Sequence, residues 1–283
     1  MAVELTEEGT SRFVQTKSWK IHYNEAGEGH PVLLLHGSGP GATGWSNFYP
    51  NLGALSARFR TVAVDMPGWG RSDATVFGAT DQSATVIEVM DSLGIEKAAL
   101  IGNSMGGATS LAVAARHPER VSHLITMGSG SYLTAPTLFG PGDGPSEGLK
   151  VLFNAYRNPT PEQIKALVQI MTFSDEFATD ELAALRSEAA LARPDHLENF
   201  LEGLQNQGFG RYAAGIEEIA SISTPSLLLH GRDDRVVQFE HSLRLLPLIR
   251  NSRMVLVNRC GHWLQIEHAA EFNRLAIDFI ENN

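Results

Sequence analysis

The chain has 283 residues, of which 43% are hydrophobic and 19% are charged, a balance that is ordinary for a globular protein. Its formal net charge of −10 argues against nucleic acid or an anionic membrane surface as a partner. The single cysteine, Cys260, excludes an internal disulfide, and no run has the signal-peptide pattern or the length of a membrane span, so we expect a cytoplasmic location.

Strand-like apolar runs alternate along the chain with helical patterns. The runs are continuous, which is typical of parallel strands that are covered on both faces. Strands that alternate with helices predict an α/β fold with a mostly parallel, doubly wound sheet. The predicted strands are Pro31–Leu35, Thr61–Val64, Ala98–Ile101, Leu124–Met127, Ser226–Leu229 and Met254–Val257, and the predicted helices are Thr80–Leu93, Gly107–Arg116, Glu240–Leu246 and Ala269–Asn282.

The pattern changes between residues 134 and 207. A loop rich in proline and glycine precedes four helical patterns, with no strand pattern between them. We interpret this segment as an inserted helical lid over the site, with residues 1–133 and 208–283 as the core. A helical layer without a gating role is the alternative. The four predicted lid helices are Glu147–Tyr156, Pro161–Thr172, Thr179–Ala192 and Asp195–Gln205.

A serine stands at the apex of a glycine-flanked turn after the third predicted strand. The motif Gly102-Asn-Ser-Met-Gly106 is followed directly by a helical pattern. This strand–turn–helix arrangement is typical of a nucleophile elbow, in which glycines leave room for a strained serine whose hydroxyl projects above the sheet edge. Ser104 is therefore the candidate nucleophile.

A serine hydroxyl is a weak nucleophile, so it needs a base and an acid that orients the base. The loops after the last two predicted strands supply both residue types. His262 follows a glycine directly after a strand and is the candidate base. Asp233 and Asp234 are adjacent candidates for the acid, of which we favour Asp234. Asp65 is a distant third candidate, because holding its own turn is the simpler explanation for it.

The oxyanion that forms on attack by Ser104 needs two backbone N–H donors. One is expected from Met105, directly after the nucleophile, and the other from Ser38 in the glycine-rich loop after the first predicted strand. That loop has neither the lysine nor the glycine spacing of a phosphate-binding loop. No pair of histidines has metal-ligand spacing, so we expect no metal.

Longer motifs resemble the meta-cleavage product hydrolases, the carbon–carbon bond hydrolases of bacterial aromatic degradation. Members of this family have the α/β-hydrolase fold with an inserted helical lid. The resemblance extends over essentially the whole chain. The motifs that carry it are His36-Gly-Ser-Gly-Pro-Gly-Ala-Thr-Gly-Trp-Ser-Asn47, Asp65-Met-Pro-Gly-Trp-Gly-Arg-Ser-Asp73, Gly102-Asn-Ser-Met-Gly-Gly107, Asp195-His-Leu-Glu-Asn-Phe200, Gly231-Arg-Asp-Asp-Arg235 and Cys260-Gly-His-Trp263.

The resemblance implies a substrate of the 2-hydroxy-6-oxo-hexa-2,4-dienoate type, with a carboxylate and dienol at one end and a variable group at the other. It implies ketonisation of the dienol and hydrolysis between C5 and C6, without a cofactor, by a homodimer or homotetramer. The positions that match the family are Ser104, Asp234 and His262 for the triad, Ser38 and Met105 with neighbouring Gly37 for the oxyanion site, and Asn47, Asn103, Arg193 and Trp263 for the polar end of the substrate.

The variable group and the exact activity stay open at this point. Apolar candidates for the subsite favour an aryl or alkyl group, and residues 129–146 form a loop longer than in the family, which affects the shape of this subsite. A carboxylesterase, a cofactor-free haloperoxidase-like activity and a non-catalytic hydrolase-fold receptor are the alternatives. Hydrolases with an aspartate nucleophile are disfavoured because this chain has Ser104. The subsite candidates are Leu152, Phe153, Phe173, Val236 and Val237.

Overall fold

One eight-stranded sheet organises the computed structural model, which describes residues 5–129, 138, 140, 144–206 and 213–283. The strands are β1 (Ser11–Gln15), β2 (Lys20–Ala26), β3 (Pro31–Leu35), β4 (Arg60–Val64), β5 (Ala98–Asn103), β6 (Val121–Met127), β7 (Ser226–Gly231) and β8 (Ser252–Val257). Their order across the sheet is β1-β2-β4-β3-β5-β6-β7-β8. Strands β3 to β8 pair in parallel, whereas β2 pairs antiparallel with both β1 and β4.

The central strands are buried on both faces. In β3, Leu33 and Leu35 enter the hydrophobic core on one face, while Val32 and Leu34 enter the core on the other. Side chains of a strand alternate between faces, so a strand covered on both sides needs a continuous apolar run. The predicted α/β fold with a mostly parallel sheet is confirmed.

Helices cover both faces of the sheet. Among the described helices, none is long and apolar enough to cross a membrane. The helices are α1 (Glu7–Thr10), α2 (Gly44–Ser56), α3 (Gln82–Ser92), α4 (Met105–Arg116), α5 (Glu147–Arg157), α6 (Pro161–Met171), α7 (Asp180–Leu191), α8 (Pro194–Asn206), α9 (Ile216–Ala220), α10 (Glu240–Leu245), α11 (Leu264–Glu267) and α12 (Ala269–Asn282).

Some elements are not predicted by sequence pattern. The edge strand β1 has no fully buried residue, and β2 buries the polar side chains of His22 and Asn24, so neither shows a continuous apolar run. Helix α2 contains Pro50, which lacks the N–H that a helix interior uses. Its N-cap is Thr43, whose side chain forms a capping box with Ser46.

Four helices, α5 to α8, stand between β6 and β7 at the predicted lid positions. Three of them are preceded by an N-cap residue whose hydroxyl accepts a backbone N–H of the first turn: Ser146, Thr160 and Thr179. The predicted lid boundaries at residues 134 and 207, and most of the 129–146 loop, lie outside the described residues. The structure therefore shows four helices between residues 147 and 206, while the exact domain bounds stay a prediction.

Candidate active site

Ser104 lies between β5 and α4 in a conformation that few residues adopt. Its φ is 54° and its ψ is −115°, and its backbone N–H donates to the carbonyl of Met127 on the neighbouring strand at 2.8 Å. A Cβ on Gly102 would overlap the carbonyl of Gly106, and a Cβ on Gly106 would overlap that of Leu35. Only glycine fits at both positions, so the tight turn that carries the serine follows from them.

His262 and Asp234 form a buried pair on the loops after β8 and β7. His262 Nδ1 lies 2.7 Å from Asp234 Oδ2, while Asp234 Oδ1 accepts the backbone N–H groups of Val236 and Val237 at 2.8 and 2.9 Å. Burial by itself would raise the pKa of Asp234, but the charge interaction with His262 and hydrogen bonds from His230 and His262 hold that pKa well below its usual range. Asp234 is therefore ionised and orients the imidazole.

The other two acid candidates point elsewhere. Asp233 pairs with Arg232 at 3.3 Å on a partly exposed loop. Asp65 is fully buried and accepts a bond from Gly44 N at the start of α2 at 2.7 Å, with His22 Nδ1 at 2.8 Å from its other oxygen. Its contacts hold the start of a helix and a turn, in line with the structural role expected for it.

The backbone of His262 is anchored from two sides. Its N–H donates to the carbonyl of Met171, the last residue of lid helix α6, at 2.7 Å. Its carbonyl accepts from Asn103 Nδ2 at 3.1 Å, and the same nitrogen lies 3.3 Å from the Met127 carbonyl. Asn103, a predicted substrate contact, thus also fixes the histidine loop, and the lid is joined to that loop at the end of α6.

Gly128 leaves the room that this histidine needs. It follows β6 with a φ of +52°, and a Cβ there would lie 2.8 Å from His262 Nδ1 and 3.2 Å from Asp234 Oδ2. Both values are below ordinary van der Waals distances. A side chain of any size at residue 128 would push against the triad pair.

The expected oxyanion donors flank Ser104. Met105 is the first residue of α4, so its N–H has no acceptor within the helix. Ser38 belongs to the loop between β3 and α2, and both residues line the pocket above Ser104. The N–H of Gly37 donates to Asn47 Oδ1 at 3.4 Å, so Asn47 on α2 supports this loop as well as lining the pocket.

A cavity of about 210 Å³ lies between the sheet and the lid, with Ser104 and His262 in its wall. Its described polar lining includes Ser38, Asn47, Asn103 and Arg186. Its described apolar lining includes Leu149, Leu152, Leu167, Met171, Val236 and Val237, of which the first four belong to lid helices α5 and α6. The cavity therefore combines a polar set of groups with an apolar wall.

Arg186 on α7 is the cation in this cavity. Its guanidinium stacks 4.5 Å from the ring centroid of Trp263, and its Nη2 donates to the Ser46 carbonyl at 3.1 Å. The residue is only 6% exposed, and within the described part of the chain it has no acidic partner and its Nε has no acceptor. Burial lowers the pKa of Arg186 to about 10, so it keeps its charge at neutral pH. A buried cation with a free donor is a suitable partner for an anion.

Comparisons with known proteins agree with this geometry. A family model for the alpha/beta hydrolase fold matches residues 30–269. The 2-hydroxy-6-oxononadienedioate/2-hydroxy-6-oxononatrienedioate hydrolase of Cupriavidus pinatubonensis is 43% identical, and the 2-hydroxy-6-oxo-6-phenylhexa-2,4-dienoate hydrolase of Comamonas testosteroni is 42% identical; each match covers 98% of both chains. The chain belongs to the meta-cleavage product hydrolases. The family named from its sequence motifs is confirmed, and with it the class of carbon–carbon bond hydrolases.

A solved structure supports the same assignment. The meta-cleavage product hydrolase from Pseudomonas fluorescens IP01 (CumD), a serine-to-alanine variant complexed with acetates, is 34% identical to this chain. The two structures superpose with a TM-score of 0.86, over 95% of this chain and 97% of the other.

In this meta-cleavage product hydrolase, Arg193 does not lie where the sequence analysis expects it. Its Nε and Nη2 donate to the carboxylate of Asp195 at 3.0 and 2.8 Å, and its Nη1 lies 3.1 Å from the Gly70 carbonyl. It is not among the described residues that line the cavity, whereas Arg186 is. Arg186 lies three residues after Ala183 and four residues before Ala190, and both alanines are buried. This helical spacing is the signal in the sequence that places Arg186 on the inward face of α7.

Two expected subsite residues also lie outside the cavity wall of the hydrolase. Phe173 is 43% exposed just beyond α6, where its ring lies under the guanidinium of Arg259. Phe153 packs against the core but is not among the described lining residues, because consecutive helical side chains point about 100° apart and Leu152 faces the cavity. Leu149, three residues before Leu152, was missed and shares its helical face.

Proposed function

We propose that this hydrolase cleaves the C5–C6 bond of 2-hydroxy-6-oxo-hexa-2,4-dienoates that carry an aryl or alkyl group at C6. The observation that supports the proposal is that Ser104, His262 and Arg186 line the same cavity. Arg186 is buried there and has no carboxylate partner among the described residues. A serine–histidine–aspartate set alone serves esters equally well. A buried cation with a free donor is needed only when the substrate brings its own negative charge.

We assign the substrate carboxylate to Arg186 and the C6 group to the apolar wall. The Arg186 Nε, which has no acceptor among the described residues, would donate to the carboxylate, and its charge would replace the water that the carboxylate loses. Side chains such as Leu152 and Val236 offer no hydrogen bond to a second carboxylate. Such a group would be desolvated there without compensation, so a phenyl or methyl substituent fits better than a carboxyethyl group.

Catalysis then proceeds in two stages. In the first, His262 shuttles a proton so that the dienol becomes the keto form, protonated at C5. In the second, His262 takes the proton of Ser104 as the hydroxyl attacks the C6 carbonyl, and the N–H groups of Ser38 and Met105 stabilise the oxyanion.

Collapse of the tetrahedral intermediate breaks the C5–C6 bond. The electron pair of that bond is delocalised through C4 and C3 onto the C2 carbonyl oxygen, and that oxygen takes the proton of protonated His262, giving 2-hydroxypentadienoate. The acyl group stays on Ser104. A water molecule, deprotonated by His262, then attacks the acyl-serine and releases the carboxylic acid. Asp234 keeps the imidazole oriented throughout.

A pair of arginine variants tests the substrate assignment. R186Q should lower kcat/KM for the 6-phenyl dienoate by about 30-fold or more, since losing one partner of a buried charge pair costs roughly 2–5 kcal/mol. Hydrolysis of p-nitrophenyl acetate, which brings no carboxylate, should change only a few-fold. R193Q, whose arginine bonds outside the cavity, is the matched control and should affect both substrates alike. Equal losses in R186Q on both substrates would indicate an esterase.

The nucleophile is tested by S104A. This variant should turn over no dienoate while still binding it, seen as a change in the dienolate absorbance, because the polar groups around the carboxylate remain. Turnover near the wild-type rate would refute the role of Ser104. The same absorbance assay with phenyl, methyl and carboxyethyl dienoates tests the preference for an uncharged C6 group.

A further inference from the structure

A second histidine, His230, contacts the carboxylate of Asp234, and it has no role in the catalytic steps given for the triad. Asp234 Oδ2, which lies 2.7 Å from His262 Nδ1, is also 3.2 Å from Nε2 of His230. His230 is the penultimate residue of β7, and its side chain is fully buried. Two imidazoles therefore converge on one oxygen of the aspartate.

The partners of His230 fix where its proton lies. Its Nε2 is 2.8 Å from the Val237 carbonyl as well as 3.2 Å from Asp234, and both of these groups only accept hydrogen bonds. Nε2 must therefore carry the hydrogen. On the other side of the ring, Nδ1 lies 2.7 Å from the hydroxyl of Ser242, which can donate to it. The neutral Nε2–H tautomer fits these contacts when the Ser242 hydroxyl, which also lies 3.2 Å from the Ser129 carbonyl, donates to the nearer Nδ1.

We propose that His230 is a positioning residue, which shares its Nε2–H between the Val237 carbonyl at 2.8 Å and Asp234 at 3.2 Å and thereby limits how strongly the carboxylate stabilises protonated His262. The inference rests on the triad of the proposed function. A carboxylate that accepts another hydrogen bond has less negative charge to offer the imidazolium.

Other titratable groups surround the pair and must stay constant in a test. They come from the same loop, from α10, from the segment after β8 and from the lid. Because none of them is altered in the variants below, their effects cancel when pH profiles are compared. These groups are Asp233, Glu240, His241, Arg244, Cys260, Glu267 and Arg186.

The test compares the pH dependence of kcat/KM in H230M and H230Q. Methionine fills the space but donates nothing, so Asp234 holds the proton on His262 more strongly and the acidic limb moves to higher pH, by on the order of half a unit. Glutamine replaces the Nε2 donor, so its profile should stay with the wild type. S242A removes the far partner of His230 and leaves the donor to Asp234 in place. It controls for loss of packing and should leave the limb unmoved.

A measurement on the unaltered protein covers the case in which H230M fails to fold. In protein with ¹⁵N-labelled histidine, NMR should show His230 as the neutral Nε2–H tautomer. The Nδ1–H tautomer would overturn the proposal, as would acidic limbs that move equally in H230M and H230Q or in neither. The profiles can be measured with p-nitrophenyl acetate, so this inference can fail while dienoate cleavage stands, and the reverse.

Discussion

Replacing Gly128 by alanine should disable the enzyme through one methyl group. The added Cβ would lie 2.8 Å from His262 Nδ1, 3.0 Å from its Cε1 and 3.2 Å from Asp234 Oδ2. The imidazole cannot move far, because its own backbone is bonded to Met171 and to Asn103. The pair must therefore separate or tilt away from Ser104.

The size of the effect follows from two contributions. Alanine at a φ of +52° costs roughly 1–2 kcal/mol, and forcing a methyl group into a filled site costs roughly 1–3 kcal/mol more. The expected loss in the free energy of unfolding is thus about 2–5 kcal/mol. Since a displacement near 1 Å in a catalytic group lowers the rate by about 10²-fold, kcat/KM should fall by that order.

Gly94 provides the matched control. It has a φ of +66°, but a Cβ there would meet no atom within 4 Å. G94A should lose only the conformational contribution, about 1–2 kcal/mol in urea unfolding, and keep its kcat/KM on the dienoate. If G128A kept a kcat/KM within twofold of G94A, the contact between residue 128 and the triad would not constrain the histidine, and the reasoning would be wrong.

Two further changes test how the site is supported and how stability depends on pH. Glu267 accepts the N–H of Gly261, next to the catalytic histidine, at 2.6 Å, and Glu267 also accepts two N–H groups just beyond α6. E267Q should lower kcat and cost about 1–3 kcal/mol in urea unfolding, because an amide NH₂ then faces a backbone donor. The control is E271Q, whose partly exposed carboxylate lies 3.8 Å from Arg274, and equal behaviour of the two variants would contradict the supporting role. Burial lowers the pKa of His196 from 6.5 to about 4, so between these values the unfolded chain binds more protons and stability rises with pH. H196Q should show a smaller change in unfolding free energy between pH 4.5 and 7, and an unchanged slope would contradict it.

Much of the fold can be predicted from the sequence alone, because the apolar runs that indicate its strands are local patterns. Every predicted strand lies within a strand of the structure, and β3 has the predicted bounds, since burial on both faces demands a continuous apolar run. The hairpin of β1 and β2 shows no such run, because the edge strand β1 has an exposed face and β2 buries the polar side chains of His22 and Asn24. Its polar residues are stabilised by pairing and by contacts such as His22 with Asp65, which no local pattern encodes.

The residues of the candidate triad can also be found from short sequence patterns. A glycine-flanked serine after a strand, and an aspartate and a histidine in later post-strand loops, can be located from residue order alone. The preference for Asp234 over Asp233 needs the tertiary structure, in which Asp234 contacts His262 and Asp233 contacts Arg232. A loop sequence does not specify which of two adjacent side chains turns inward.

The sequence by itself determined the fold class, the family and the residues that stand in the order of a serine hydrolase triad. Only the tertiary structure decided which arginine enters the cavity, which lid side chains form its wall, and that a second histidine reaches Asp234. Arg186 and Arg193 are seven residues apart, on α7 and just after it. Their roles differ because α7 turns Arg186 onto Trp263, while Asp195 and the Gly70 carbonyl hold Arg193 outside. Contacts between distant segments set these orientations, and spacing along the chain does not record them.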